Sequence, residues 1–188
     1  MRDAETISMA MTAAETGGVV KIVAPFTIKD LSAATGVKLA LEGVYRWLAA
    51  QKADVVCLQE VKAHEADLDA ALLAPKGLSG FFHCAEKKGY AGVALYCRHP
   101  PDAVLKGFGV REFDAEGRFL EARFGKLSVI SVYLPSGSSG PHRQASKFRF
   151  LKAFLVHLQK LKARGDEIIL CGDWNIAHGQ IDLKNWRS

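Results

Sequence analysis

The chain has 188 residues, 49% of them hydrophobic, with 25 Lys and Arg against 20 Asp and Glu for a formal net charge of +5. This is enough for one domain with a sizeable core, and too apolar for a disordered protein. No apolar run reaches the roughly 18 residues that a membrane-spanning helix needs, and the basic balance suits either a polyanionic partner such as nucleic acid or an ordinary solvated surface.

Residues 1–18 mix Asp3, Glu5 and Glu15 with Ala, Thr and Met. They lack the basic start and apolar middle of a secretory signal and read as a disordered N-terminal extension, with the domain occupying residues 19–188. Residues 19–23 predict a first strand, closed by Pro25. Residues 37–51 have helical periodicity, with Leu41, Val44, Tyr45 and Leu48 on one face. Residues 54–59 form a near-continuous apolar strand of the doubly covered kind. A short helix is expected over 66–73, ended by Pro75 and Gly77.

Strands at 79–84 and 92–96 flank the loop Glu86-Lys87-Lys88-Gly89-Tyr90. Further strands are expected at 103–108, 119–124 and 127–134, the last two joined as a hairpin at Gly125-Lys126. A Ser-, Gly- and Pro-rich loop over 135–141 precedes a long amphipathic helix from about 143 to 162, capped by Gly165. A last strand leads to Asp173. The order β-α-β, β-meander, helix, strand predicts an α/β fold with mixed sheets covered by helices. Residues 181–186 resemble the start of a new element, as if a longer protein were cut here.

The four cysteines are Cys57, Cys84, Cys97 and Cys171, none at close metal-ligand spacing and three of them inside apolar runs. Buried reduced thiols in a reducing, cytoplasmic compartment are expected.

Two apolar runs deliver acidic residues to their C-terminal ends: 54–59, followed by Glu60, and 168–172, followed by Asp173. In α/β sheets that end is where chemistry is placed, and two hard oxygen ligands brought together there suggest a divalent cation and phosphate chemistry. Glu60 is either a metal ligand or a solvated strand cap. Asp173 and Asn175, two apart, either aim an acid and an amide at one site or form an Asx turn. Tyr133 is either core or a hydroxyl offered to a phosphate. The loop 87–92, with two lysines and Tyr90 between glycines, either meets a nucleic-acid backbone or is solvated. Residues 141–147 open the long helix with positive charge that could extend a phosphate-facing surface.

Taken together, residues 53–62 (ADVVCLQEVK), 89–94 (GYAGVA), 132–137 (VYLPSG) and 172–177 (GDWNIA) resemble the exonuclease III family of DNA-repair enzymes within the endonuclease/exonuclease/phosphatase superfamily. The order and spacing match across about residues 47–188. The resemblance implies a four-layer α/β sandwich of two mixed β-sheets flanked by helices, here incomplete in the second sheet. It also implies Mg²⁺- or Mn²⁺-dependent phosphodiester hydrolysis on double-stranded DNA at abasic sites and 3′ ends, by a monomer. Position by position it makes Glu60 the metal-binding glutamate, Tyr133 the tyrosine near the scissile phosphate, Asp173 the residue that orients or deprotonates water, Asn175 its neighbouring amide, and Tyr90 a DNA contact.

Two departures stand against the pattern. Residues 22–30 hold no asparagine where the family places one that helps build the metal site, and Asp30 is the only acid nearby. The chain also ends before the family's C-terminal aspartate–histidine pair. These departures predict little or no nuclease activity for the chain alone. They also predict aggregation, with Val93, Leu95, Ile130 and Val132 short of covering partners. A non-catalytic DNA- or protein-binding remnant, or a phosphodiesterase acting on other phosphates, are the competing readings.

Overall fold

The computed structural model describes residues 22–27, 53–68, 70–75, 77–138, 140–177 and 179–180. Two four-stranded sheets stack face to face. The first has the order β1 (Ile22–Thr27), β2 (Val55–Gln59), β4 (Val93–Cys97), β3 (Ser79–His83); the second runs β5 (Ala103–Lys106), β6 (Phe119–Phe124), β7 (Leu127–Tyr133), β8 (Glu167–Asp173). The pairs β1–β2 and β7–β8 are parallel and the others antiparallel, so both sheets are mixed, as expected.

Alternation along β7 shows how the layers are sorted. Val129 and Tyr133 join Val55, Cys57, Val93, Leu95, Leu120 and Ala122 in the core between the sheets. Ile130, Val132 and Leu134 point the other way, into an aromatic core with Phe113, Phe119, Phe150 and Phe154. That second core is roofed by the long helix α3 (Pro141–Ala163), which follows the short helices α1 (Ala70–Leu73) and α2 (Arg111–Asp114). Pro at the first turn of α3 lacks only an N–H the helix would not have used, and Phe150, Phe154 and Leu161 fall on one face. A third cluster of Val56, Leu58, Phe82, Ala94 and Tyr96 lines the outer face of the first sheet, where the Tyr96 hydroxyl donates to the Leu72 carbonyl of α1 at 2.8 Å.

One buried carboxylate ties α3 to the second sheet. Glu121, 1% exposed, accepts from Arg164 Nη2 at 2.6 Å and from Ser128 Oγ at 2.7 Å.

Several expectations need correction. The first strand does not stop at Pro25 but runs through it. The register with β2 slips between Val23 and Phe26, and this bulge accommodates a residue that cannot donate to the ladder. The helix over 66–73 is split into a 3₁₀ turn, Glu65–Asp67, and α1, because Leu68 is extended. Helix α2 went unforeseen: four residues are too few to show periodicity, and it is held by the burial of Phe113 and by Asp114, which accepts from the N–H groups of Phe108 and Gly109. Val93, Leu95, Ile130 and Val132 are all 0% exposed, because the facing sheet and α3 cover them within this chain.

Residues 1–18, the strand residues 19–21, Asp30 and the helix expected at 37–51 lie outside the described residues. No helix among the described residues is long and apolar enough to cross a membrane.

Candidate active site

The site lies where β2, β7 and β8 end together. After Gln59 the chain turns sharply, with Glu60 and Lys62 both in the left-handed region at φ 54° and 48°. Non-glycine residues pay strain to sit there, so neighbours must hold them. They do: Val61 N–H donates to Gly92 O at 3.2 Å and Lys62 N–H to Ala91 O at 2.8 Å. Gly92 is required in that clamp. Its φ is +84°, and a Cβ would stand 2.7 Å from the Val61 side chain. The loop carrying Tyr90 and the turn carrying Glu60 are thus one packed unit. Glu60 keeps 22% of its side chain exposed, with the Lys62 ammonium 3.7 Å away.

Tyr133 closes β7. Its ring belongs to the inter-sheet core at 8% exposure, and its hydroxyl donates to Glu60 Oε1 at 2.6 Å. The ring is core, as one of the two readings had it, and the hydroxyl is held by Glu60 at the sheet end. Burial pushes its phenol above the ordinary tyrosine range, the bond to the Glu60 carboxylate adds to this, and the Asp173 carboxylate adds further. At neutral pH Tyr133 is a firm neutral donor. Glu60 bonds this hydroxyl and Asp173 pairs in register with Tyr133, so the two acidic motifs meet at the end of β7.

Asp173 is the last residue of β8 and pairs in register with Tyr133. Gly172 before it packs so tightly on the β7 backbone that a Cβ would collide with the Val132 carbonyl. Asp173 Oδ1 accepts from Asn175 N–H at 2.8 Å, so the Asx turn is present. Asn175, at φ 49°, donates its side-chain amide to Leu134 O at 2.8 Å, and Lys147 Nζ donates to the Asn175 carbonyl. The amide expected to serve chemistry here joins the ends of β7 and β8.

Tyr90 sits in a ring of cations. Its hydroxyl accepts from Arg118 Nη2 at 3.1 Å and from Arg143 Nη2. Lys87 and Arg143 lie 5.6 and 5.4 Å from its ring centre. Glu116 pairs with Arg118 and, at 3.8 Å, with Arg143. Arg118 is only 2% exposed; it also donates to the Tyr133 carbonyl at 3.0 Å and lies 5.0 Å from the Tyr133 ring. It couples the Tyr90 cluster to the Glu60–Tyr133 pair.

Sequence reasoning missed Arg118 and gave no role to Lys62. Arg118 stands just before β6, a strand that also holds Glu121 and Arg123, so its local sequence did not set it apart. Lys88 pairs with Asp67 at 3.3 Å. Among the described residues no three His, Cys, Asp or Glu side chains group as a metal cage.

The model of the Endonuclease/Exonuclease/phosphatase family matches residues 29–188. The chain is 37% identical over 139 residues to an exodeoxyribonuclease of Bacillus subtilis, covering 74% of this chain and 54% of that protein. It is 36% identical over 144 residues to the DNA repair nuclease APEX1 of Danio rerio, covering 74% and 45%. In structure it superposes on an AP endonuclease from Archaeoglobus fulgidus with a TM-score of 0.71 at 26% identity, covering 86% of this chain and 60% of that one. The chain spans about half the length of the curated relatives it matches.

Proposed function

This chain belongs to the endonuclease/exonuclease/phosphatase family, and on that footing we propose that it is a phosphodiester-hydrolysing DNA-repair nuclease of the exonuclease III type, acting on double-stranded DNA at abasic sites and 3′ ends. The observation that supports this reading is that Glu60 bonds the Tyr133 hydroxyl while Asp173 pairs in register with Tyr133 at the same sheet end, beside the cationic ring around Tyr90.

Glu60 would hold a divalent cation, Mg²⁺ or Mn²⁺. The donor set fits: such ions are held by one or two carboxylates with water and substrate phosphate completing the shell, and Glu60 already attracts an ammonium. When bound, the ion neutralises phosphate charge and the leaving oxygen. The chain's own groups do the rest. Asp173 accepts the proton of the attacking water. Tyr133, kept neutral beside the scissile phosphate, uses its one O–H to hold the Glu60 carboxylate in place. Asn175 fixes the Asp173 turn, and Arg143, Lys87 and Tyr90 grip flanking phosphates, with buried Arg118 holding Tyr90 in place. The free thiols suit a reducing cytoplasm.

A second reading, DNA binding without cleavage, draws support from the cationic ring around Tyr90, which would hold a phosphate backbone whether or not it is cut. Incision of an abasic-site duplex separates the two. Slow Mg²⁺-dependent cutting, abolished by EDTA and by Asp173→Ala, supports the nuclease. Salt-sensitive binding without cutting supports the second reading. Turnover of a soluble phosphodiester with DNA ignored overturns both.

A further inference from the structure

Strand β2 is apolar until its last residue, Gln59, which is 0% exposed. Its Nε2 donates to Ser131 Oγ at 2.8 Å, and Ser131 Oγ in turn donates to the Leu58 carbonyl at 3.0 Å. Gln59 Oε1 accepts no hydrogen bond among the described residues. An apolar residue here would continue the strand without leaving a desolvated oxygen unpaired, so stability does not explain the amide.

Its place does. Gln59 precedes Glu60, whose backbone is strained, and Ser131 lies two residues before Tyr133 on the same face of β7. The facing sheets are thus cross-linked at two successive levels: Ser131 to Leu58 and Gln59, then Tyr133 to Glu60.

We propose that Gln59 and Ser131 are positioning residues: their bridge between β2 and β7 sets where the Glu60 carboxylate stands against Tyr133, and so sets the geometry offered to the divalent cation. The inference rests on Glu60 being a metal ligand. A partner that orients a ligating carboxylate typically changes metal affinity 10–100-fold when removed, with little requirement that the fold weaken.

The test titrates the whole 188-residue chain with Mn²⁺ alone, reading free Mn²⁺ by electron paramagnetic resonance and following thermal unfolding in parallel. Gln59→Met keeps length and burial; Ser131→Ala removes the other half of the bridge. The expected result is about a tenfold loss of Mn²⁺ affinity in each. The double variant should lose no more than either single, because the two side chains act as one unit. Gln59→Met should melt no lower than the parent.

Affinity that falls with Glu60→Gln but is untouched by Gln59→Met and Ser131→Ala overturns the positioning role and leaves the metal reading standing. Melting that drops in both bridge variants while Mn²⁺ affinity holds makes the bridge merely structural and also overturns it. Mn²⁺ affinity indifferent to Glu60→Gln removes the metal reading, and the inference falls with it.

Discussion

Tyr133→Phe removes a single oxygen and leaves the ring packing and its Arg118 contact in place. The oxygen donates to Glu60 at 2.6 Å, a hydrogen bond to a charged group, worth about 1.5–3 kcal/mol. Glu60 is 22% exposed and has Lys62 at 3.7 Å, so water and the ammonium recover part of that. A loss of about 1–2 kcal/mol at pH 7 follows, or roughly 3–6 °C in Tm for a chain of this size.

The pH dependence sharpens the test. Burial and Glu60 raise the folded phenol above its unfolded value near about 10. Below that pH both states keep the proton and the contribution is complete. Above it the unfolded state ionises while the folded state does not, so the contribution is lost as pH climbs. Urea melts at pH 7, 9, 10 and 10.5 should show the wild-type advantage over Tyr133→Phe flat to about pH 9.5 and shrinking beyond. Equal stabilities at pH 7, or a difference that stays constant through pH 10.5, would refute the reasoning.

Arg164→Ala leaves the buried Glu121 carboxylate with Ser128 alone; with Arg164 32% exposed, a loss of about 2–3 kcal/mol is expected in urea unfolding. Arg143→Ala, at the exposed side of the Tyr90 ring, should weaken DNA binding evenly across sequences and lower the salt slope by about one phosphate contact in fluorescence titrations. Gly92→Ala forces a Cβ onto Val61 at a φ of +84°; about 2 kcal/mol should be lost in thermal melts, and Mn²⁺ affinity with it. Burial pushes the Cys97 thiol up to about 12 and Cys84 to about 11, whereas Cys171 is lowered because it accepts a hydrogen bond from Cys57. Iodoacetamide at pH 8 should therefore label Cys171 first by mass spectrometry, and faster labelling of Cys84 or Cys97 would contradict this.

Strands β2, β6, β7 and β8 and helix α3 were legible because continuous or periodic apolar residues leave few alternatives. The passage of β1 through Pro25 was not, since a bulge depends on the partner strand's register and not on the residues inserted. The choice at Asp173 between an acid aimed at a site and an Asx turn was undecidable from residue types; the folded chain makes the Asx turn and sets Asp173 in register with Tyr133. Arg118 carried almost no local signal. Its meaning comes from Tyr90 and Tyr133, 28 and 15 positions away.

Local chemistry sufficed to say which residues become buried strands and which polar groups are left at their ends, because side-chain alternation and turn preferences act over a few neighbours. Whether those ends meet was a matter of packing. Glu60 reaches Tyr133 because two sheets stack on a shared core, and Asp173 stands beside Tyr133 because β8 returns parallel to β7 after α3. Those separations are set by contacts between residues far apart in the chain, and no short stretch of it encodes them.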